Sequence, residues 1–132
     1  MSADSNIKTI QEVYEAFGRA AAILDAVTDD VDWASEAASD GVPWHGVRRG
    51  KEAVAAFFAD HGSAMEVDEF TPLSFAANDT DVLTVVRFRA HARATGKTAE
   101  MNLHHFFTFR DGKIAYYRGT EDTAQTEAVL RA

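Results

Sequence analysis

The stretch that most constrains this chain is residues 98–123, TAEMNLHHFFTFRDGKIAYYRGTEDT, which reads as two long antiparallel strands joined at Asp111-Gly112. Apolar and polar residues alternate along it with period two, as in strands that present two unlike faces. It holds His104 and His105, Tyr116 and Tyr117, and an acidic pair, Glu121-Asp122, at its far end. A wall of this kind suits the back of a ligand pocket.

Register decides which side chains share a face, because a slip of one residue turns every side chain over. A flush two-residue loop at Asp111-Gly112 sets His105 opposite Arg118. A type I turn with Gly112 left-handed in a G1 bulge instead sets His105 opposite Tyr117 and His104 opposite Arg118. The bulged form gathers Met101, Leu103, His105, Phe107 and Phe109 with Ala115, Tyr117, Gly119 and Glu121. The reverse face then carries Asn102, His104, Phe106 and Thr108 with Tyr116, Arg118 and Thr120. The first face is mostly apolar and the second mostly polar, so the bulged register is expected. Phe106 and Tyr116 form an isolated aromatic pair on the polar face, which suggests contact with a second copy of the chain.

The remaining sequence is that of one domain, residues 1–132, long enough to bury a real core. A net charge of −8 argues against nucleic acid or an anionic membrane as partner. Without cysteine there are no disulfides and no thiolate chemistry, which fits the cytoplasm. Residues 1–15 lack the apolar core of a signal peptide, and no stretch is suited to span a bilayer.

Asp4 or Ser5 is placed to cap a helix running to about Gly18, with Ile7, Ile10, Tyr14 and Phe17 on one stripe. A short helix over residues 20–27 precedes a break at Thr28-Asp29-Asp30, then a brief strand over 31–34 carrying Trp33. Residues 35–49 read as a loop containing Trp44-His45, and 51–61 as a third helix stopped by Gly62. Strands follow over 65–77, bent at Pro72, and over 82–93, where Val86, Phe88, Ala90 and Ala92 share one face. A last helix over 123–131 begins after Asp122. Helices first and a meander of strands afterwards indicate α+β, a curved antiparallel sheet wrapped around three amino-terminal helices.

Five words stand in this order: IQEVYEAF from Ile10, DDVDW from Asp29, WHGVRRGKEAV from Trp44, FRDGKI from Phe109 and DTA from Asp122. Together they make the chain resemble a SnoaL-like protein of the nuclear transport factor 2 and ketosteroid isomerase superfamily. That resemblance implies a cone-shaped α+β barrel, an apolar pocket and a homodimer built through the sheet. Relatives usually carry a Gly-Asp turn after the first helix, where this chain has Arg19-Ala20-Ala21, so a tighter connection is expected.

Such relatives include isomerases, dehydratases, epoxide hydrolases and polyketide cyclases, and also members without catalysis, so the site must be argued by residue. Aligned on the steroid isomerase pattern, the base falls on Trp33, the tyrosine on Val13 and the protonated acid on His105. Trp33 cannot take a proton, which disfavours that mechanism. The epoxide hydrolase pair of Arg and Asp two apart is absent too, because Arg110-Asp111 is adjacent and in the turn.

His105 is the leading catalytic candidate, since its ordinary pKa lies near neutrality. The alternative is a core histidine satisfied by Tyr117. Glu121 is the second candidate; a flat strand sets it roughly 13 Å from His105, and the alternative is a rim carboxylate in solvent. Gly119 leaves space on the wall or marks a bend. Trp33, Trp44, His45, Phe57, Phe88, Leu103, Tyr117 and Asp122 complete the expected binding residues, with Asp122 also spaced from Gln125 as a helix cap. No metal site and no cofactor are expected. The function implied is cofactor-free acid–base chemistry on an apolar compound bearing a carbonyl or hydroxyl. The alternative is a binding module for such a ligand or for a protein partner.

Overall fold

Helix α1 (Ala3–Glu15) starts earlier than its sequence suggests, because Ser2 and not Asp4 or Ser5 is the cap in the computed structural model, which describes residues 2–16, 20–38 and 41–132. Ser2 Oγ accepts from the Ser5 backbone N–H at 3.1 Å, and the Ser2 N–H donates to Ser5 Oγ at 3.0 Å. Two free amides of the first turn are thereby satisfied. Phe17, Gly18 and Arg19, where the helix was expected to end and turn tightly, lie outside the described residues.

Helix α2 (Ala20–Leu24) is shorter than expected, and β1 (Val27–Ser35) begins at once. The Thr28-Asp29-Asp30 stretch is strand rather than break. Val27 and Val31 on either side of it are fully buried; Val27 pairs with Ile114 of a neighbouring strand, and regular pairing resumes at Asp32 after a shift of register. Burial of the flanking valines here overrides the turn preference of two aspartates.

The short β2 (Arg48–Arg49) leads into α3 (Lys51–Ala64), which passes through Gly62 instead of stopping there. The remaining elements are β3 (Met65–Ala77), β4 (Asp81–Ala92), β5 (Thr98–Arg110), β6 (Lys113–Thr120) and α4 (Thr123–Leu130). They make one sheet in the order β2-β1-β6-β5-β4-β3. Its neighbours are antiparallel except β1 and β6, which run parallel. Register shifts near Val67, at Pro72 and at Thr108 bend the strands, since an extra residue on one strand increases local twist. The result is a strongly curved α+β sheet with its concave face toward the helices.

The β5–β6 hairpin corrects the expected register. Asp111 at φ 52° and Gly112 at φ 80° form a flush two-residue turn, so Arg110 pairs with Lys113 and Phe109 with Ile114. The extra residue is Ala115, one turn later, and no bulge forms at Gly112. Beyond it Phe107 pairs with Tyr117, Phe106 with Arg118 and His105 with Gly119. His105 therefore faces neither Tyr117 nor Arg118. Ile114, fully buried beside Val27, takes the inner position assigned to Ala115. Burying isoleucine rather than alanine favours that arrangement. After the bulge the parity is restored, so His105, Phe107, Tyr117 and Gly119 share the concave face as expected. The described residues include no helix long and apolar enough to cross a membrane.

Candidate functional site

Between the concave face, α1 and α3 lies a cavity of about 90 Å³. Its walls are aromatic, formed by Trp33, Phe57, Phe58, Phe70, Phe88 and Phe107. At roughly 15 Å³ for each water, it has room for about six waters, the scale of one ring. Five titratable groups also line it: Tyr14, His61, His105, Tyr117 and Glu121.

The first polar cluster is built across three elements. His105 stands at the middle of β5, directly opposite Thr84 on β4, and Tyr14 reaches both from α1. Tyr14 Oη lies 2.6 Å from Thr84 Oγ1 and 2.7 Å from His105 Nδ1. Burial lowers the His105 pKa to about 4, the nearby His104 lowers it too, and Glu121 opposes them. The ring is therefore neutral at pH 7. Burial also pushes the Tyr14 hydroxyl well up, despite its bond with Thr84. A tyrosine hydroxyl donating to Nδ1 leaves a proton on Nε2, the other ring nitrogen.

Tyr117 joins this cluster through an absence. A side-chain carbon added at Gly119 would overlap the Tyr117 hydroxyl, stand 2.8 Å from Tyr117 Cζ and lie 3.3 Å from His105 Cδ2. Gly119 is thus a notch in which the Tyr117 hydroxyl sits, beside the imidazole edge that carries Nε2. The hydroxyl has no hydrogen-bond partner among the described residues, and burial raises its pKa.

The second cluster is centred on Glu121, where β6 gives way to α4. Its Oε1 accepts from Trp44 Nε1 at 3.1 Å and pairs with His45 Nε2 at 2.7 Å, while Oε2 accepts from Thr126 at 2.6 Å. The side chain is only 10% exposed, so it is not a solvated rim group. Burial raises its pKa, but the bonds from His45, Thr126 and Trp44 outweigh that and hold it below the ordinary carboxylate value. Glu121 is a fixed negative charge. His61 on α3 packs against Trp44 with ring centroids 4.6 Å apart. Burial lowers its pKa, partly countered by the charge of Glu121. No described residue bonds its ring nitrogens.

Most of the residues singled out in the sequence meet at this cavity. Trp33, Trp44, Phe57, Phe88 and Leu103 are in its walls, and His105, Tyr117, Gly119 and Glu121 in its polar lining. His45 is a correction: it stands behind Trp44 as a partner of Glu121 and does not line the cavity. Asp122 is another, being exposed and accepting from the Gln125 N–H at 3.1 Å as the cap of α4. Tyr14 and His61 were not anticipated. Both sit on helix stripes that read as core, and the signal that could have found them is the polar tip each stripe carries inward.

A third polar group lies on the outer face. Register places Glu66 opposite His91, and His91 pairs with Glu66 at 3.0 Å and with Asp68 at 2.9 Å. These ligand-type atoms lie within 4.8 Å of one another, a grouping that sequence spacing does not reveal. Both imidazole nitrogens are already engaged by carboxylates, so the group reads as an exposed ion-pair cluster.

The sequence matches the SnoaL-like domain over residues 10–117. Among solved structures, an NTF2-like protein of unknown function from Burkholderia pseudomallei is 25% identical, with TM-score 0.86 over 97% of this chain and 98% of that one. The protein TerC, co-crystallised with polyporic acid, is 22% identical, with TM-score 0.84 over 97% and 99%. A protein proposed to be a polyketide cyclase, from Xanthomonas campestris, is 20% identical, with TM-score 0.80 over 98% of both chains. No curated protein matches the sequence significantly.

Proposed function

The chain belongs to the SnoaL-like domain family, and from that premise we propose that it is a small-molecule enzyme working by cofactor-free proton transfer on an apolar, carbonyl- or hydroxyl-bearing compound. The observation that carries the reading is the Thr84–Tyr14–His105 relay, which ends on a neutral imidazole beside the unpartnered Tyr117 hydroxyl. Two neutral donors, His105 Nε2–H and Tyr117 O–H, suit a carbonyl oxygen. They would strengthen as charge develops on that oxygen, and their burial makes each worth more than in water.

In this reading His105 polarises and does not serve as base. A group whose pKa is about 4 is a weak base at neutral pH. Glu121 is weakened in the same way by its three donors. His61 is the group left to take a proton, with the Glu121 charge nearby to stabilise the imidazolium formed. Similar structures proposed to be cyclases and isomerases are in keeping with such chemistry.

The rival is a binding module of the same shape, favoured by one observation: three acceptor positions of Glu121 are already engaged by the protein's own donors. A thermal-shift screen of apolar ketones, lactones and aromatic polyketides finds the ligand, because saturation 100-fold above Kd adds about 2.7 kcal/mol. Turnover of the hit is then measured in His105→Ala and Tyr14→Phe. For the enzyme, His105→Ala lowers kcat by about 100- to 1,000-fold, the loss of one donor to the developing oxyanion. Turnover retained in both variants refutes the catalytic role of this wall; no turnover by the unaltered protein, with binding weakened by only about 0.5–1.5 kcal/mol in His105→Ala, means the rival is correct.

A further inference from the structure

Two unlike sets of polar groups line the cavity, and the difference between them has a consequence for the ligand. One set offers neutral donors, His105 and Tyr117. The other offers the Glu121 carboxylate and the unpartnered ring of His61. Among the described residues no lysine or arginine lines the cavity, so no cation there answers the Glu121 charge on the ligand's side.

A carboxylate offers about four lone-pair positions. Trp44 and His45 occupy two on Oε1, and Thr126 takes one on Oε2. One acceptor position on Oε2 remains, together with His61. The complement to this end is a hydroxyl that donates. A ligand carboxylate would instead meet a like charge across an aromatic-walled space with little screening.

We propose that the pocket selects neutral, one-ring-scale ketones carrying a hydroxyl at the opposite end, and rejects the corresponding carboxylates. This deepens the reading of the same cavity as a carbonyl site and rests on it for the assignment of the ketone end. The hydroxyl end and the exclusion of anions rest on Glu121 and His61 alone.

Three probes separate the two ideas: para-hydroxyacetophenone, acetophenone and para-acetylbenzoate, each titrated calorimetrically into the intact protein at pH 7. The hydroxyl compound binds about three- to ten-fold more tightly than acetophenone, the worth of one hydrogen bond. The benzoate binds about 10- to 100-fold more weakly than the hydroxyl compound, as a like charge demands. Glu121→Gln closes the gap to the benzoate. His61→Phe, which leaves the bonds of Glu121 intact, lowers the hydroxyl preference while the benzoate stays excluded. This second variant and the three-probe ranking of the unaltered protein decide the matter even when Glu121→Gln does not fold. Benzoate binding as tight as that of the hydroxyl compound overturns the proposal, as does equal binding of all three probes or binding of none. Each of those results leaves the His105→Ala turnover test untouched, so loss of ligand selectivity and loss of the catalytic reading remain distinct.

Discussion

Replacing Gly119 with alanine tests the geometry on which the donor pair depends. The new methyl would overlap the Tyr117 hydroxyl and come within 2.8 Å of Cζ, closer than side-chain carbons settle without something shifting. The tyrosine cannot swing away freely. It is 5% exposed, its ring lies 4.1 Å from that of Trp33 and 5.0 Å from that of Phe107, and the His105 edge closes a further side. Overpacking of a filled site costs about 1–3 kcal/mol. For a chain of this size that corresponds to a melting point lower by roughly 3–12 °C, at about 3–4 °C per kcal/mol. Tyr117→Phe removes only the closest clashing atom, so the double variant should recover part of the loss, a coupling of about 0.5–1 kcal/mol. The assay is chemical denaturation of the two single variants and the double, with affinity for the screened ketone measured alongside. Gly119→Ala melting within about 1 °C of the unaltered protein and binding the ketone equally well would refute the notch, and with it the placement of the Tyr117 hydroxyl beside His105.

Two further outcomes follow from the same structure. The His105 pKa is depressed in the fold to about 4, so the unfolded chain takes up that proton first as acid is added. Its contribution is complete above about pH 6.5 and is lost as pH falls toward 4, up to about 3 kcal/mol in total. His61 slopes the same way and His91, raised chiefly by its bond to Asp68, slopes the other; the difference between the unaltered protein and His105→Phe isolates the term, and parallel stability curves from pH 7 to 4.5 would contradict it. A homodimer is expected through the outer sheet face, where Phe106 and Tyr116 touch with centroids 6.1 Å apart and Leu83, opposite Phe106, is 51% exposed. Light scattering at micromolar concentration should give twice the chain mass, falling to one in Phe106→Glu, because a stable interface needs roughly 1,200 Å² of buried surface; a monomer from the outset rules it out.

The faces of the hairpin were legible in the sequence, but its register was not. Period-two alternation places His105, Phe107, Tyr117 and Gly119 together whether the extra residue falls at Gly112 or at Ala115, because either position shifts parity once. Which one is chosen depends on Ile114 finding Val27 on β1, a contact between distant segments that local pattern cannot carry. The same limit explains β1 itself, whose two aspartates look like a break until Val27 and Val31 on either side of them are buried in the core. At the site, Glu121 was visible as an inward acid, but its burial was not. Trp44 and His45 reach it across more than seventy residues, a closure that depends on how the loop lies over the cavity. Tyr14 was hidden by its own stripe, since an aromatic at helical spacing satisfies the core pattern before its hydroxyl is considered.

The walls and the polar ends of the cavity contribute in different ways. A one-ring ligand that buries about 150–250 Å² of apolar surface gains roughly 4–6 kcal/mol. Much of that offsets the freedom lost on binding, so the aromatic walls alone support weak, unselective affinity. Each hydrogen bond at an end adds about 0.5–1.5 kcal/mol, too little to hold a ligand but enough to choose its orientation. Orientation is what separates the two readings of this chain. A ligand held with its carbonyl toward His105 and Tyr117 shares its cavity with His61 and Glu121, so the donor pair and the proposed proton acceptor can engage one molecule. Reversing the ligand puts its carbonyl oxygen against a carboxylate and gives both donors only the hydroxyl oxygen, on which no enolate charge develops. The same walls would bind it either way, and only the first orientation aligns groups that can move a proton.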